Sequence, residues 1–230
     1  MSIFLLSDEI GFPPPHLATQ DGLLAVGGDL SQKRLLLAYQ MGIFPWYSDD
    51  EPIIWWSPDP RLVLYPWELR VSRSLKKTIR KEQFHVTLDT AFEQVITSCA
   101  QVRIRKNEGT WIVDEMIEAY CKLHKSGFAH SAEAWCDGEL AGGLYGLSLG
   151  TCFFGESMFT SVSNASKVAF VKFAEHLREM SFEMIDCQVA TDHLAHFGAR
   201  EIPRRLFLKQ LKKALRTPGR RGRWQFISPP

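Results

Sequence analysis

Two short segments of the sequence combine acidic side chains with strongly apolar neighbours. In FGESMF, residues 154–159, Glu156 lies among phenylalanines and a methionine, and in IDCQV, residues 185–189, Asp186 lies between isoleucine and cysteine. A carboxylate in apolar surroundings is costly unless it is paired or hydrogen-bonded. Two such carboxylates therefore predict a functional site.

The second segment predicts which side chains share a face. Side chains alternate along a strand, so Asp186 and Gln188 are expected on one face. Ile185, Cys187 and Val189 are then expected on the other, and we do not expect Cys187 to act as a nucleophile. Taken alone, Asp186 has an alternative interpretation as an ordinary strand-edge acid that caps a helix or pairs with a surface lysine.

A further candidate is an aromatic segment, FPWYSDDEPIIWWSPDPR, at residues 44–61. Trp46, Tyr47, Trp55 and Trp56 lie there between prolines and acids. Aromatic side chains in an irregular segment usually pack a loop onto its neighbour, but they also stack on nucleobases without reading their sequence. The pattern alone leaves both interpretations open.

Two weaker patterns predict structure and no chemistry. Gly27 and Gly28 could cradle a phosphate, but no glycine-rich phosphate-binding motif follows them, so a turn is predicted. His124 has no further ligands at metal-binding spacing and is predicted to be a packed histidine. No metal site is predicted.

Composition is typical of a globular protein. Of the 230 residues, 45% are hydrophobic, which suffices for a substantial core. The five cysteines are odd in number and scattered, which favours reduced thiols in the cytoplasm. No apolar run is long enough to cross a membrane, and the N-terminus lacks the features of a secretion signal. We therefore expect a cytoplasmic protein that does not interact with membranes.

Charge is distributed unevenly, although the net charge is only +1. Most charged residues among the first 60 are acidic, whereas lysines and arginines are concentrated at residues 70–81 and from residue 200 onward. Concentrated cations bind polyanions by releasing counterions from phosphates. A polyanionic partner is one interpretation of these segments, and a solvated basic helix face is the other.

Hydrophobic periodicity predicts the elements that must position these side chains. Predicted helices are one opened by Ser31 and stopped by Gly42, 74–81, 90–99 with Asp89 as N-cap, 114–126, 165–180 with Asn164 as cap, a short one after Thr191, and 203–216. Predicted strands are 62–72, 84–89, a hairpin of 129–136 and 139–149 around Asp137 and Gly138, 151–159, and 182–189.

The element order predicts two domains, residues 1–61 and 62–230, divided at the WSPDPR turn. The fold class is α+β, with a small N-terminal α/β domain followed by a mixed-sheet domain like that of the acyl-CoA N-acyltransferases (GNAT-like). That fold normally binds pyrophosphate on a glycine-containing loop. Here the loop is TSVSNASK, residues 160–167, without glycine, so coenzyme A is not expected.

A series of motifs carries a resemblance over nearly the whole chain. GLLAVGGDLS, GIFPWYS, IIWWSPDPR, EGTWI, GLYG, FGESMF, NASK, IDCQV and EIPRR occur in this order. Together they resemble the leucyl/phenylalanyl-tRNA--protein transferases. The resemblance implies transfer of leucine or phenylalanine from aminoacyl-tRNA to proteins that begin with Arg or Lys. It implies a role in the bacterial N-degron pathway of protein degradation, without cofactor or metal.

The resemblance also implies roles for residues at matching positions. Asp186 and Gln188 are implied to be the catalytic pair, with Glu156 as their partner. Implied contacts of the tRNA 3′-adenosine are Trp46, Trp111, Tyr39 and Tyr120. The implied pocket for the aminoacyl side chain is Leu144, Phe153, Met158, Phe170, Phe173 and Ile185, although straight alternation turns Ile185 away from Asp186. Phosphates of the acceptor stem are expected at Arg73, Lys76, Lys77, Arg80, Arg204, Arg205 and Lys209.

Phe170 departs from the family pattern because leucine is expected there, and the bulkier side chain predicts a stronger preference for leucine as substrate. Two alternatives from other classes stay open at this point. An acyl-CoA N-acyltransferase would share the fold but needs the missing glycine loop. A tRNA-binding module would explain the basic segments and tryptophans but not Glu156, Asp186 and Gln188.

Overall fold

The computed structural model describes residues 3–105 and 112–227, and at residues 103–105 it describes the backbone alone. In this part of the chain, eleven strands and seven helices form a mixed architecture with two mixed sheets. Some hydrophobic residues of both sheets share one buried cluster, which joins the N-terminal elements to the rest of the molecule.

The first sheet is built from the N-terminal segment. Its strands are β1 (Phe4–Leu6), β2 (Leu23–Gly27), β3 (Phe44–Pro45) and β4 (Ile54–Trp56), in the order β1-β2-β4-β3. Helix α1 (Gln32–Gln40) begins after Ser31, whose Oγ accepts the Arg34 N–H at 3.4 Å, and Gly42 follows its end with a positive φ. The predicted boundaries of this helix are confirmed.

The second sheet has seven strands in the order β11-β5-β10-β9-β8-β7-β6. Their bounds are β5 (Arg61–Leu64), β6 (His85–Leu88), β7 (Ala129–Cys136), β8 (Glu139–Leu149), β9 (Cys152–Thr160), β10 (Met184–Gln188) and β11 (Arg200–Ile202). Only the β9–β10 pair is parallel; the other neighbours in this sheet run antiparallel. Arg61 already belongs to this sheet, and the domain boundary between residues 61 and 62 stays a prediction.

The remaining helices are α2 (Arg73–Arg80), α3 (Phe92–Arg105), α4 (Asp114–Lys125), α5 (Ala165–Glu179), α6 (Asp192–His196) and α7 (Arg204–Ala214). Helices α3 and α4 pack with α1 over one face of the second sheet, in a cluster that includes Tyr120 and Phe154. Helix α5 covers the opposite face with Val168, Phe170 and Phe173. The sheet is therefore buried on both faces.

The hairpin prediction is confirmed. Asp137 and Gly138 both have positive φ, which is the conformation that a two-residue turn of this kind requires. The pattern of strand, turn and strand around an Asp-Gly pair was sufficient because the turn depends on local backbone geometry.

The two predicted helix caps have different outcomes. Asp89 does not cap α3, which begins at Phe92 and continues to Arg105; its carboxylate accepts from the His130 ring at 2.8 Å and from the Trp224 N–H at 2.7 Å. Asn164 occupies the N-cap position of α5, but with a left-handed backbone and no side-chain cap. Partners distant in sequence determined the orientation of Asp89, which helix propensity does not predict.

Candidate active site

A cavity of about 490 Å³ opens beside β9 and β10, and its walls are mostly apolar. Its lining includes every residue of the predicted aminoacyl pocket: Leu144, Phe153, Met158, Phe170, Phe173 and Ile185. Further lining comes from Phe44 and Pro45 of β3 and from Trp46, which directly follows that strand. Polar groups are supplied by Glu156, Ser157, Gln188, Thr191 and His193. The arrangement suits an apolar group held next to a small set of polar atoms.

Two adjacent strands diverge at the cavity. The parallel pairing of β9 with β10 ends at Phe154 and Asp186, and Glu156 and Gln188 each lie two residues beyond that last pair. Both strands are also irregular there: Glu156 is skipped in the pairing of β9 with β8, and a residue is skipped between Asp186 and Gln188 in the pairing of β10 with β5. These bulges redirect the side chains at the edge of the gap.

Gly146 of β8 makes room for the aromatic wall. A Cβ at this position would lie 2.6 Å from the Phe153 ring and 2.1 Å from the Phe154 carbonyl oxygen. No larger residue fits without displacing backbone. The glycine of the GLYG motif therefore has a packing role beside the cavity.

Glu156 is the acid at the centre of the site. Its carboxylate accepts hydrogen bonds from Tyr39 at 2.7 Å, from Tyr120 at 3.0 Å and from the Gln188 amide at 2.9 Å. Burial raises the pKa of Glu156 from 4.5 to about 7, against the opposing effect of the tyrosine hydrogen bonds, and the nearby charge of Asp186 acts in the same direction as burial. Near neutral pH this group can therefore either hold or accept a proton.

Tyr39 of α1 and Tyr120 of α4 lie behind Glu156. Both side chains are fully buried, and their hydroxyl oxygens are in close contact with each other. Burial and the adjacent carboxylate raise the pKa of both well above the usual value, so both stay protonated and donate. In this structure they support Glu156 from the protein interior, and their contact with the tRNA adenosine stays a prediction.

Asp186 and Gln188 do not share a face as alternation predicts. Asp186 is fully buried outside the cavity lining, and its carboxylate accepts two hydrogen bonds from Arg61, at 2.8 and 2.6 Å. Gln188 has a positive φ of 63° and directs its amide to Glu156. Ile185 and Cys187 line the cavity and Asp186 faces away from it, so the predicted faces are exchanged, and the bulge between Asp186 and Gln188 brings Gln188 to the same face as Ile185 and Cys187.

The Cys187 thiol is therefore nearer the site than predicted. It is nonetheless held as a thiol, because burial and the neighbouring Asp186 raise the pKa of Cys187 well above its ordinary range. A protonated thiol is a poor nucleophile. The chemistry of this site is accordingly carried by oxygen and amide groups.

The tryptophans predicted to meet the adenosine have different outcomes. Trp46 lies at the cavity mouth with 41% of its surface exposed, and its ring is 6.0 Å from that of Trp56. The Trp56 indole N–H donates to the Trp46 carbonyl oxygen at 2.7 Å, which fixes the backbone beneath the exposed ring. Trp111 lies outside the described residues.

The predicted phosphate contacts lie on two helices. Arg73, Lys76, Lys77 and Arg80 of α2 are exposed, as are Arg205 and Lys209 of α7. Arg204 differs, because its half-buried guanidinium donates to the Ser57 carbonyl oxygen and its backbone N–H to Asp59 at 2.9 Å. These two hydrogen bonds attach the start of α7 to the segment that precedes β5.

Arg61 was absent from the predicted site, although the sequence contains a signal for it. It directly precedes the predicted strand of residues 62–72, and a cation buried beside an apolar strand requires an anion. Asp186 is the acid of another predicted apolar strand. His124 was predicted to be packed, and its ring indeed stacks on Phe92 with centroids 4.3 Å apart.

Within residues 3–105 and 112–227, no group of three histidine, cysteine or carboxylate side chains is arranged to hold a metal ion. A membrane-crossing helix is not found in the same ranges.

Comparison with known proteins gives matches along nearly the full chain. Residues 63–212 match the family described as Leucyl/phenylalanyl-tRNA protein transferase, and residues 28–59 match its N-terminal domain. A transferase of that name from Desulfatibacillum aliphaticivorans is 60% identical over 99% of this chain and 98% of its own length. One from Myxococcus xanthus is 58% identical over 97% of each chain.

Similarity to solved structures is much weaker. L-PGS from Bacillus licheniformis has a TM-score of 0.44 at 11% identity, covering 90% of this chain and 68% of that chain. An aminoglycoside acetyltransferase from a soil metagenomic sample has a TM-score of 0.40 at 16% identity, covering 51% and 86%. Neither value is high enough to carry an argument about this protein.

The similarity over nearly the full chain defines the class of protein. The geometry of the site agrees with this class, because a carboxylate and an amide beside an apolar cavity suit acyl transfer. The chain is an aminoacyltransferase, which moves aminoacyl groups from tRNA to protein. It belongs to the leucyl/phenylalanyl-tRNA protein transferase family.

Proposed function

We propose that this enzyme transfers leucine or phenylalanine from its tRNA to the N-terminal amine of cytoplasmic proteins that begin with Arg or Lys. The addition marks the acceptor for degradation by the bacterial N-degron pathway. The observation that carries the proposal is the hydrogen-bonded pair of Gln188 and Glu156 beside the apolar cavity. The second domain is proposed to be GNAT-like, in keeping with the single parallel pair of diverging strands at its centre.

The donor explains why so few catalytic groups are needed. An aminoacyl ester is already an activated acyl group, so the amine can attack it directly without a covalent enzyme intermediate. Alignment of amine and ester supplies a large share of the rate enhancement in such reactions. The apolar cavity beside polar atoms can provide this alignment.

Proton transfer is assigned to Glu156. The amine nitrogen forms a bond to the ester carbonyl carbon and loses one proton, while the bond from that carbon to the ribose oxygen breaks and the oxygen takes up a proton. Glu156 lines the cavity and has a pKa near 7, so it can accept the first proton and return it to the leaving oxygen. Asp186 is unsuited to that role because it is buried and paired with Arg61.

Gln188 is assigned to the amine. Its Nε2 donates to Glu156, which orients the amide so that its oxygen is available as an acceptor for the attacking amine. Asp186 supports this arrangement by accepting the Gln188 backbone N–H at 3.0 Å. The Gln188 amide thus positions the attacking amine, and the Glu156 carboxylate accepts its proton.

The aminoacyl side chain is assigned to the cavity. Thioether and aromatic walls, such as Met158, Phe153 and Phe173, suit both a branched and a flat side chain. Phe170 narrows this space and packs against Phe197 in a tilted arrangement, with ring centroids 4.8 Å apart. We therefore expect leucine to be the better substrate.

The tRNA is assigned to the cavity mouth and to the basic helices. Trp46 is exposed there for stacking with the terminal adenosine, and the exposed cations of α2 and α7 can hold phosphates. Doubling the salt concentration is expected to weaken tRNA binding several-fold. An affinity that does not respond to salt would contradict this assignment.

A direct assay tests the proposed function. The purified protein is incubated with leucyl-tRNA and a peptide that begins with Arg, and the peptide is examined by mass spectrometry. Addition of one leucyl residue is expected, whereas an otherwise identical peptide with an acetylated N-terminus should stay unmodified. Absence of product from every aminoacyl-tRNA, together with acetylation of the peptide from acetyl-CoA, would replace the proposal by an acyl-CoA-dependent activity.

A further inference from the structure

Arg61 has an environment that is unusual for a cation. Its guanidinium is completely buried between two aromatic rings, at 4.8 Å from the centroid of Phe44 and 4.6 Å from that of Phe207. Two of its nitrogens donate to the Asp186 carboxylate, which is also fully buried. The planar fork of arginine fits a carboxylate in this bidentate way, and lysine cannot reproduce it.

The carboxylate that Arg61 holds is connected to the candidate active site by the backbone. Asp186 Oδ1 accepts from Arg61 and also from the Gln188 N–H, at 3.0 Å. This second hydrogen bond closes the bulge at which Gln188 has its positive φ. A left-handed backbone is unfavourable for a non-glycine residue, so the surrounding contacts must maintain it.

Arg61 also contacts the opposite side of the site. The Phe44 ring that covers the guanidinium is part of the cavity lining, two residues before Trp46. The same side chain therefore touches the first sheet through Phe44, α7 through Phe207 and β10 through Asp186. Arg61 thus connects the expected tRNA side of the cavity to the strand that carries Gln188.

We propose that Arg61 is a positioning residue for the transfer reaction, because it fixes Asp186 so that the Gln188 bulge forms and the Gln188 amide meets Glu156. This inference rests on the proposed function. Arg61 itself does not line the cavity and does not touch the reacting atoms. It acts through Asp186 and the Gln188 backbone.

Stability alone is a weak explanation for the pair. A buried ion pair loses so much hydration that replacing both partners by uncharged residues is often neutral or even stabilising, whereas removing one partner leaves a costly buried charge. An experiment must therefore separate the effect of an unpaired charge from the effect on Gln188. The chain offers a matched control in Arg200, which pairs with Glu68 and lies 4.5 Å over the Tyr65 ring, but on the surface.

The first measurement compares the full-length wild type with Arg61→Lys, Arg61→Met and the control Arg200→Met. We expect both Arg61 variants to lower kcat about 100-fold, because a displacement of about 1 Å in a reacting group has this effect, while KM for leucyl-tRNA changes less than about threefold. Arg200→Met should keep both constants. Wild-type kcat in a folded Arg61→Met enzyme would overturn the proposal.

A second variant keeps the test decisive if Arg61→Met does not fold. In Arg61→Met/Asp186→Asn no buried charge is left, so folding should recover, and circular dichroism and thermal unfolding measure this. Because nothing then holds residue 186 in place, kcat should stay about 100-fold low with KM unchanged. Recovery of wild-type kcat would show that Arg61 only neutralises Asp186 and would overturn the proposal.

The assays distinguish failure of the proposed function from failure of the proposed role of Arg61. If the wild-type enzyme transfers no leucine at all, the proposed function is wrong. If the wild type transfers leucine and the charge-balanced double variant does so at the same rate, the proposed function stands and the role of Arg61 is wrong.

Discussion

Two buried glutamates in neighbouring parts of the second sheet have different surroundings. Glu133 of β7 is fully buried, and its two carboxylate oxygens accept from the Thr87, Thr90 and Ser131 hydroxyls and from the Ala91 N–H. Glu156 of β9 is also buried, but it accepts from two tyrosines and an amide and lines the cavity.

The comparison shows that burial of an acid does not by itself define a site. Glu133 receives short hydroxyls and the backbone at the start of α3, so its charge is dispersed among donors that are all part of the protein. Glu156 lies where two strands separate, and one side of its carboxylate region borders an open space. A substrate can reach the second acid and not the first.

The largest expected effect tests this difference by activity. Glu156→Gln should lower kcat/KM for leucyl transfer by roughly 100-fold or more, since general acid–base groups contribute on that scale. Glu133→Gln should leave the rate of the folded enzyme unchanged. Equal losses in the two variants, measured with enzyme shown to be folded by circular dichroism, would remove the distinction.

The free energy of unfolding should change in opposite directions in the two variants, with a rise in Glu156→Gln and a fall in Glu133→Gln. The interval between 4.5 and a pKa of about 7 for Glu156 corresponds to roughly 3 kcal/mol of folding free energy, which is present at low pH and lost as pH rises through this interval. At pH 8 we therefore expect Glu156→Gln to unfold with a free energy about 1 to 3 kcal/mol higher than wild type, because removing the buried charge outweighs the loss of one of the two oxygens that accept from Tyr39, Tyr120 and Gln188.

Glu133→Gln should instead lower the free energy of unfolding by about 1 to 3 kcal/mol, because it leaves donors without an acceptor. Urea unfolding of both variants and of wild type at pH 8 provides the measurement. Destabilisation of both variants by the same amount would show that the two carboxylates are structurally equivalent.

The pH dependence of the wild type gives a third test. If Glu156 accepts the proton, kcat/KM should rise with pH and level off above an apparent pKa near 7, because the protonated acid below that pH cannot accept. Glu156→Gln should lose this step in its residual activity. A step that persists in the variant would belong to another group, such as the substrate amine.

A smaller effect is expected for Phe170, which lines the same cavity as Glu156; Glu133 does not line this cavity. Phe170→Leu should raise the ratio of kcat/KM for phenylalanine over leucine by about fivefold, since pocket changes of this size are worth roughly 1 kcal/mol. Phe182→Leu, a buried phenylalanine outside the cavity lining, is the control and should leave the ratio unchanged. Comparable ratios in all three enzymes would contradict a selectivity role for Phe170.

Local patterns predicted most of the secondary structure. The helix after Ser31, the Asp137–Gly138 hairpin and the strands that carry Glu156 and Asp186 all depend on neighbours within a few residues, and the structure contains each of them. Asp89 does not cap α3, whereas Asn164 occupies its predicted cap position at α5 without a side-chain hydrogen bond. In the first case His130 and Trp224, distant in sequence, compete successfully for the carboxylate.

Residue type and strand periodicity were enough to predict a buried acid on each of two apolar strands and an amide two residues beyond the second acid, because both are local properties. The six apolar positions that line the cavity were predicted from the resemblance to the family. The tertiary structure alone decided that Asp186 pairs with Arg61 and Glu156 meets Gln188, since two bulges and the separation of β9 from β10 change the direction of the side chains. Bulges arise from packing between distant segments, and alternation along a single strand does not contain that information.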